Sequence, residues 1–172
     1  MAKPKERENN PEDGGKNDLL DRDEYIPWFL VRLANGMTRG ASKTYLKLFG
    51  VGIMEWRILS ILAIEGGIMA SYICEALDLD KASASRSIKT LQARDLIYID
   101  EKPLQRARKL YLTEQGRILH DQILKIALER TRLLTQGIST DEEAFLLALL
   151  RRLVSNLSVV DAYDSSLVWG EN

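Results

Sequence analysis

At Asp95 the apolar period of the chain changes, and that change restricts the fold more than any other feature. Before it, a short helix fits Ala70–Leu77 and Asp78-Leu79-Asp80 make a tight turn. Asp80 is a suitable N-cap for a further helix over roughly Lys81–Arg94. After it, Leu96-Ile97-Tyr98-Ile99 and Lys109-Leu110-Tyr111-Leu112 are rich in β-formers. The stretch between them, Asp100–Arg108, is polar and basic and contains Pro103. Two short helices on a tight turn, followed by a basic hairpin, predict a winged helix-turn-helix.

Longer helices flank this unit. From Glu24 to Phe49, Ile26, Leu30, Leu33, Met37, Ala41, Tyr45 and Leu48 recur at steps of three and four, the mark of an amphipathic helix. Pro27 is tolerable near its start, and Gly50 can end it. Gly36 and Gly40, one turn apart, weaken it; close approach of another helix explains them better than room for a ligand. Met54–Glu65 forms a second helix with Trp56, Leu59, Leu62 and Ala63, stopped by Gly66-Gly67. Thr113 can cap a fifth helix, about Glu114 to Gln136, and Gly137 ends it. Ser139-Thr140-Asp141-Glu142 is a capping-box pattern. It opens a last helix with Leu146, Leu149, Leu150, Leu153, Leu157 and Val160 on one face. The fold class is therefore mainly α with a small β-hairpin wing. Met1 to about Arg22 holds too few apolar residues to offset ordering and reads as a disordered arm. A second loose tail is expected from about Asp164 to Asn172.

Composition closes off other classes. The chain has 172 residues, 45% hydrophobic and 28% charged, the size and make-up of one globular domain. Its longest apolar runs, such as Ile61–Ile64 and Ala144–Leu150, are far too short to cross a bilayer. There is no cationic start followed by an apolar stretch, so we expect no secretory signal and a cytoplasmic location. A single cysteine, Cys74, excludes an internal disulfide or a multi-cysteine zinc site. A single histidine, His120, argues against a histidine metal cluster or a Ser-His-Asp triad. No Gly-rich phosphate loop follows a strand. Asp141, Glu142 and Glu143 cluster where acids favour a helix N-terminus. We expect no enzyme activity, no cofactor and no metal.

The net charge is −1, but its distribution is uneven. Lys81–Arg117 carries nine basic residues against four acidic, a local +5; the remainder holds 15 basic and 21 acidic, or −6. A basic element on a mildly acidic body suits a nucleic-acid reader. At 100° per residue, Ala84, Ile88 and Leu91 share the core face of the fourth helix. Ala82, Arg86, Lys89 and Ala93 lie opposite, flanked by Ser83, Ser85 and Thr90. Small residues let such a helix sink into a major groove, and Arg86 can address guanine O6 and N7 with two hydrogen bonds. The hairpin loop Lys102-Pro103-Leu104-Gln105-Arg106-Ala107-Arg108-Lys109 holds four cations for phosphates or a narrow minor groove. The expected DNA contacts are Lys81, Ala82, Ser83, Ser85, Arg86, Lys89, Thr90, Arg106 and Arg108, with Arg106 at the tip.

Asp80-Lys81-Ala82-Ser83-Ala84-Ser85-Arg86 and Leu91-Gln92-Ala93-Arg94-Asp95-Leu96-Ile97 resemble the recognition helix and following strand of MarR-type regulators. Arg106-Ala107-Arg108-Lys109-Leu110-Tyr111-Leu112-Thr113-Glu114-Gln115-Gly116 resembles their wing signature, which ends in Leu-Thr-x-x-Gly. Glu55-Trp56-Arg57-Ile58-Leu59 looks like their second helix. The likeness spans about Tyr25–Tyr163. It departs from the family pattern at Leu104, where an acid usually braces the wing, and at Asp95, where Gly is usual.

The resemblance implies a MarR-type domain over residues 23–163: a winged helix-turn-helix over about 53–113, and an α-helical dimerisation domain from about 24–49 and 114–162. It implies an obligate homodimer on a pseudo-palindromic double-stranded DNA operator. Such a regulator is usually a repressor released by a small molecule. Members controlling aromatic degradation bind aryl acids or their CoA thioesters, and Trp28, Phe29, Arg32, Trp56 and His120 are of the right types for such a pocket. Some members sense peroxide through a cysteine near the start of the first helix. This chain has none there, and Cys74 reads as packing. Two alternatives stay open: a winged helix that binds protein, and a regulator sensing a non-aromatic or redox signal.

Overall fold

The computed structural model describes residues 21–100 and 108–169. The arm expected over Met1–Arg22 and the hairpin tip with Arg106 lie wholly or largely outside them. The chain divides into two units, with the boundary between Ile53 and Met54.

The first unit is built on α1, Ile26–Phe49. Pro27 occupies its first turn, where no intrahelical N–H bond is lost. Gly50, at φ 66°, closes its C-terminus with an N–H bond to the Leu46 carbonyl. Ala41 and Tyr45 are buried, whereas Trp28, Phe29, Val31, Leu33 and Met37 are exposed. A Cβ added at Gly36 would meet nothing within 4 Å, so the close neighbour expected there is no described part of this chain.

The boundary falls at the first residue of α2, Ile53–Ile64, whose Trp56, Ile58, Leu59 and Leu62 are buried in the second unit. The following helix, α3, is Ala70–Leu77, with Ile73 fully buried. Asp78 adopts a left-handed conformation, φ 50°, which a short polar side chain tolerates. The Leu79 N–H then reaches back to the Cys74 carbonyl at 2.8 Å and turns the chain into α4, Lys81–Ala93. Asp80 caps α4 by accepting the Ser83 N–H at 2.8 Å.

Asp95 takes φ 54°, a left-handed turn conformation that glycine adopts without strain and Asp tolerates. Strands β1, Ile97–Asp100, and β2, Lys109–Leu112, pair antiparallel with Ile97 opposite Leu112 and Asp100 opposite Lys109. Alternation puts Ile97, Ile99, Leu110 and Leu112 on one face, and Tyr98 stacked on Tyr111 at 5.4 Å on the other. An isolated bridge joins Ile68 to Leu110 beside β2. Gly67 makes it possible: its φ is +81°, and a Cβ there would strike the Tyr111 ring.

The Leu-Thr-x-x-Gly run has a concrete task. The Thr113 hydroxyl accepts the Gly116 N–H at 2.9 Å, capping α5, Glu114–Leu134. The same hydroxyl donates to the Asp95 carbonyl at 2.6 Å, tying the hairpin entry to the helix start. A Cβ at Gly116 would run into the carbonyl oxygen of Leu96, so this approach of helix to strand requires glycine.

Helix α6, Thr140–Ser155, opens on the full capping box of Ser139 and Glu142. The last helix is not continuous. Asn156 interrupts it, and α7 runs Leu157–Trp169. The Asn156 N–H is shared between the Arg152 and Leu153 carbonyls, and the Ser155 hydroxyl also bonds the Arg152 carbonyl at 2.8 Å. Such back-bonding competes with the regular ladder. The loose tail expected from Asp164 is instead helical through Trp169, because Leu167 and Val168 continue the helical run.

Candidate nucleic-acid interface

The inner face of α4 buries Ala84, Ser87, Ile88 and Leu91, which fixes the rotation of the helix. Lys81, Ala82, Ser85, Arg86, Lys89 and Thr90 are consequently exposed and Ser83 half-buried. All seven α4 residues expected to contact DNA thus share the outer surface of one helix. Arg108 stands immediately before β2, at the base of the hairpin. Arg106, the expected tip residue, lies outside the described residues.

Two of these side chains are linked to the helix cap Asp80. The Ser83 hydroxyl donates to the Asp80 carboxylate at 2.7 Å and accepts from the Arg86 guanidinium at 2.8 Å. Bonds from the Ser83 hydroxyl and then its backbone N–H hold the Asp80 carboxyl below the usual carboxylate range. Arg86 therefore starts from a defined orientation along the first turn of α4, which lowers the entropy lost on binding a base. The Thr90 hydroxyl donates to the Arg86 carbonyl at 3.0 Å, leaving its oxygen lone pairs as acceptors.

One inward-facing polar residue of α4 escaped the sequence reading. Ser87 is buried, and its hydroxyl donates to Glu55 of α2 at 2.8 Å. This is a direct polar tie between α4 and α2. Its place three residues after Ala84 and four before Leu91 is the signal that marks it as inward-facing.

The residues expected to contact an effector fall into two groups. In the second unit, Trp56 and His120 stack at 5.3 Å with 18° between their planes, both buried. His120 Nδ1 lies 2.8 Å from Asp121 Oδ1. In the first unit, Trp28 and Arg32 line a groove of about 390 Å³ along α1 with Val31, Asn35 and Arg39. Arg22 lies over the Trp28 ring at 5.6 Å. Phe29 is exposed and does not line that groove. No group of three metal-ligating side chains occurs among the described residues.

Residues 49–106, from the end of α1 through the recognition helix and β1 into the hairpin loop, match the sequence profile of the MarR family. That segment is similar to the winged helix-turn-helix of the MarR family. Over 92 residues the chain is 25% identical to the HTH-type transcriptional regulator YybA of Bacillus subtilis, covering 53% of this chain and 61% of that relative. The crystal structure of a MarR/EmrR family transcriptional regulator from Acinetobacter sp. ADP1 superposes with a TM-score of 0.75. It shares 29% identity, over 81% of this chain and 99% of that one. MepR of S. aureus, solved in complex with DNA, has a TM-score of 0.70 at 20% identity, over 80% and 99% of the two chains. That last likeness is one of fold. The MarR-family fold thus extends beyond the matched segment into the flanking helices.

Proposed function

We propose that this chain is a transcriptional regulator that binds double-stranded DNA in a sequence-specific manner as a cytoplasmic homodimer. The observation that carries the reading is the outer face of α4: Arg86 and Lys89 exposed among small and hydroxyl-bearing residues, followed by a hairpin based on Arg108. Helix α4 enters the major groove, Arg86 reads a base edge and Lys89 and Arg108 take phosphates. The relative from Bacillus subtilis named as an HTH-type transcriptional regulator, and the MepR–DNA complex, support the same reading.

Dimerisation is supported by the apolar surface the long helices leave open. Phe145, Val154, Val159 and Val160 are exposed on α6 and α7, and Ile26, Val31 and Leu33 on α1. A monomer would carry far more apolar surface than soluble proteins usually expose. No helix among the described residues is long and apolar enough to cross a membrane. A two-fold dimer presents two recognition helices to half-sites one helical turn apart. The dimer acts as a repressor, and a small aromatic acid or its thioester releases it. The α1 groove with Trp28 and Arg32 offers an aromatic wall and a guanidinium for a carboxylate.

Selection from random duplexes of roughly three helical turns tests this reading. The expected outcome is enrichment of one pseudo-palindrome with half-sites about 10 base pairs apart. Recovery of an unenriched pool would overturn it.

A further inference from the structure

Strands β1 and β2 form a two-stranded ribbon, the sheet geometry with the widest range of twist and little stability of its own. The segment between α2 and α3 steadies it. The Gly67 N–H donates to the Leu110 carbonyl at 3.0 Å, and the Leu110 N–H donates to the Ile68 carbonyl at 2.8 Å. These bonds fix where β2 sits along the segment, but a bridge of one residue pair leaves the lie of the ribbon open. Tyr111 closes that freedom. Its ring stacks on Tyr98 of β1, with 5.4 Å between centroids and 17° between planes. The same ring sits against Gly67 so tightly that an added Cβ would lie 2.6 Å from its hydroxyl oxygen and 2.9 Å from Cε1 and Cζ. One side chain thus joins both strands to the segment. The segment is in turn fastened to α3, because the Tyr72 hydroxyl donates to Glu65 at 3.1 Å.

We propose that Tyr111, seated on Gly67, is a positioning residue for DNA binding that sets the lie of the hairpin and so the place of Arg108 relative to α4. The inference rests on the DNA-binding reading, in which Arg108 takes a phosphate and Arg86 a base edge. Arg108 stands three positions before Tyr111, about 10 Å along an extended strand. A change of roughly 15° in the lie of the ribbon, within the spread that strand pairs show, shifts it by about 2–3 Å. That is enough to break a hydrogen bond to a phosphate. Base reading needs only the outer face of α4. The contact therefore governs the strength and salt dependence of binding and leaves base preference alone.

The test uses three variants of the full chain. Tyr111→Leu removes the ring. Gly67→Asn tolerates a positive φ, while its Cβ displaces the ring from the other side. Tyr111→Phe keeps the ring and is the conservative control. Each is titrated across a salt series with the selected duplex and with one mismatched in a half-site. Hydrogen exchange of the Leu110 N–H is followed without DNA. Tyr111→Leu and Gly67→Asn should keep a cooperative melt and speed exchange at Leu110. Each should make the slope of log Kobs on log salt shallower by about 0.9 for one phosphate lost per protomer, close to 1.8 per dimer. The ratio of matched to mismatched affinity should stay that of the wild type. Tyr111→Phe should match the wild type throughout.

A wild-type chain that binds no duplex removes the DNA reading, and this proposal with it. With wild-type binding intact, unchanged slopes in Tyr111→Leu and Gly67→Asn would overturn the proposal alone, whatever happens at Leu110. Loss of base discrimination would place the effect on α4 and also count against it. A shallower slope in Tyr111→Leu but not in a folded Gly67→Asn would make Tyr111 a direct DNA contact, not a positioning residue. Should one of the two variants fail to fold, the other decides. Failure of both to melt cooperatively would reduce the contact to a structural one and end the proposal.

Discussion

Arg86 and Asp80 show how much a single position can decide. Arg86 is held through Ser83 to the helix cap, so the side chain proposed to read a base is part of the same network that starts its helix. Arg86→Ala should weaken operator binding by about 1–3 kcal/mol per half-site and relax sequence preference, while the protein stays folded. Fluorescence anisotropy on matched and mismatched duplexes measures both; an unchanged specificity ratio would remove Arg86 from base readout. Asp80 carries a pH signature. Its carboxyl lies below the ordinary value because Ser83 donates to it. A carboxyl lowered in the folded state stabilises above its unfolded pKa of roughly 3.9, and that stability is lost as pH falls through the folded value. Asp80→Asn keeps a capping oxygen but removes the titration. Its melting temperature should therefore fall less steeply than wild type below about pH 4. Parallel curves for the two proteins would contradict this.

Most elements could be read from local chemistry. Helix α3 and strand β2 lie over Ala70–Leu77 and Lys109–Leu112 as expected, because turn residues bound both closely. Thr113 caps α5 and Asp80 caps α4 as their types demand. The break at Asn156 was not legible, because the apolar face of α6 continues past it and the cause is a local contest for the Arg152 carbonyl. The tie between Ser87 and Glu55 spans 32 positions, beyond the reach of any local pattern. It sets how α4 sits against α2. Ser87→Ala should cost about 1–2 kcal/mol in denaturant unfolding. It should also weaken DNA binding without touching any outer-face residue. Normal operator affinity in the folded variant would make Ser87 a matter of stability only. Gly116→Ala tests the junction of hairpin and α5. Forcing a methyl toward the Leu96 carbonyl should destabilise by about 1–3 kcal/mol, read as a lower denaturant midpoint at constant slope.

At the scale of the whole molecule, the winged helix carries the proposed reading surface, while the long helices expose apolar faces among the described residues. Leu149→Glu combined with Leu153→Glu, on α6, should give a monomer by sedimentation equilibrium and cost the added affinity of two joined half-sites. The split also explains what the sequence conveyed about function. The residues proposed to read DNA lie within one helix and its adjacent hairpin in sequence, so spacing alone groups them. The residues expected to bind an effector are spread over α1, α2 and α5, and among the described ring contacts Trp56 and His120 stack. The most direct measurement of the central claim is the salt dependence of binding to the selected duplex. If α4 and the hairpin base face the DNA backbone, log Kobs falls linearly with log salt, by about 0.9 per phosphate neutralised. Replacing Lys89 and Arg108 together with Gln should make that slope shallower by close to two phosphates per protomer. A flat salt response of the wild type, or an unchanged slope in the double variant, would contradict the account.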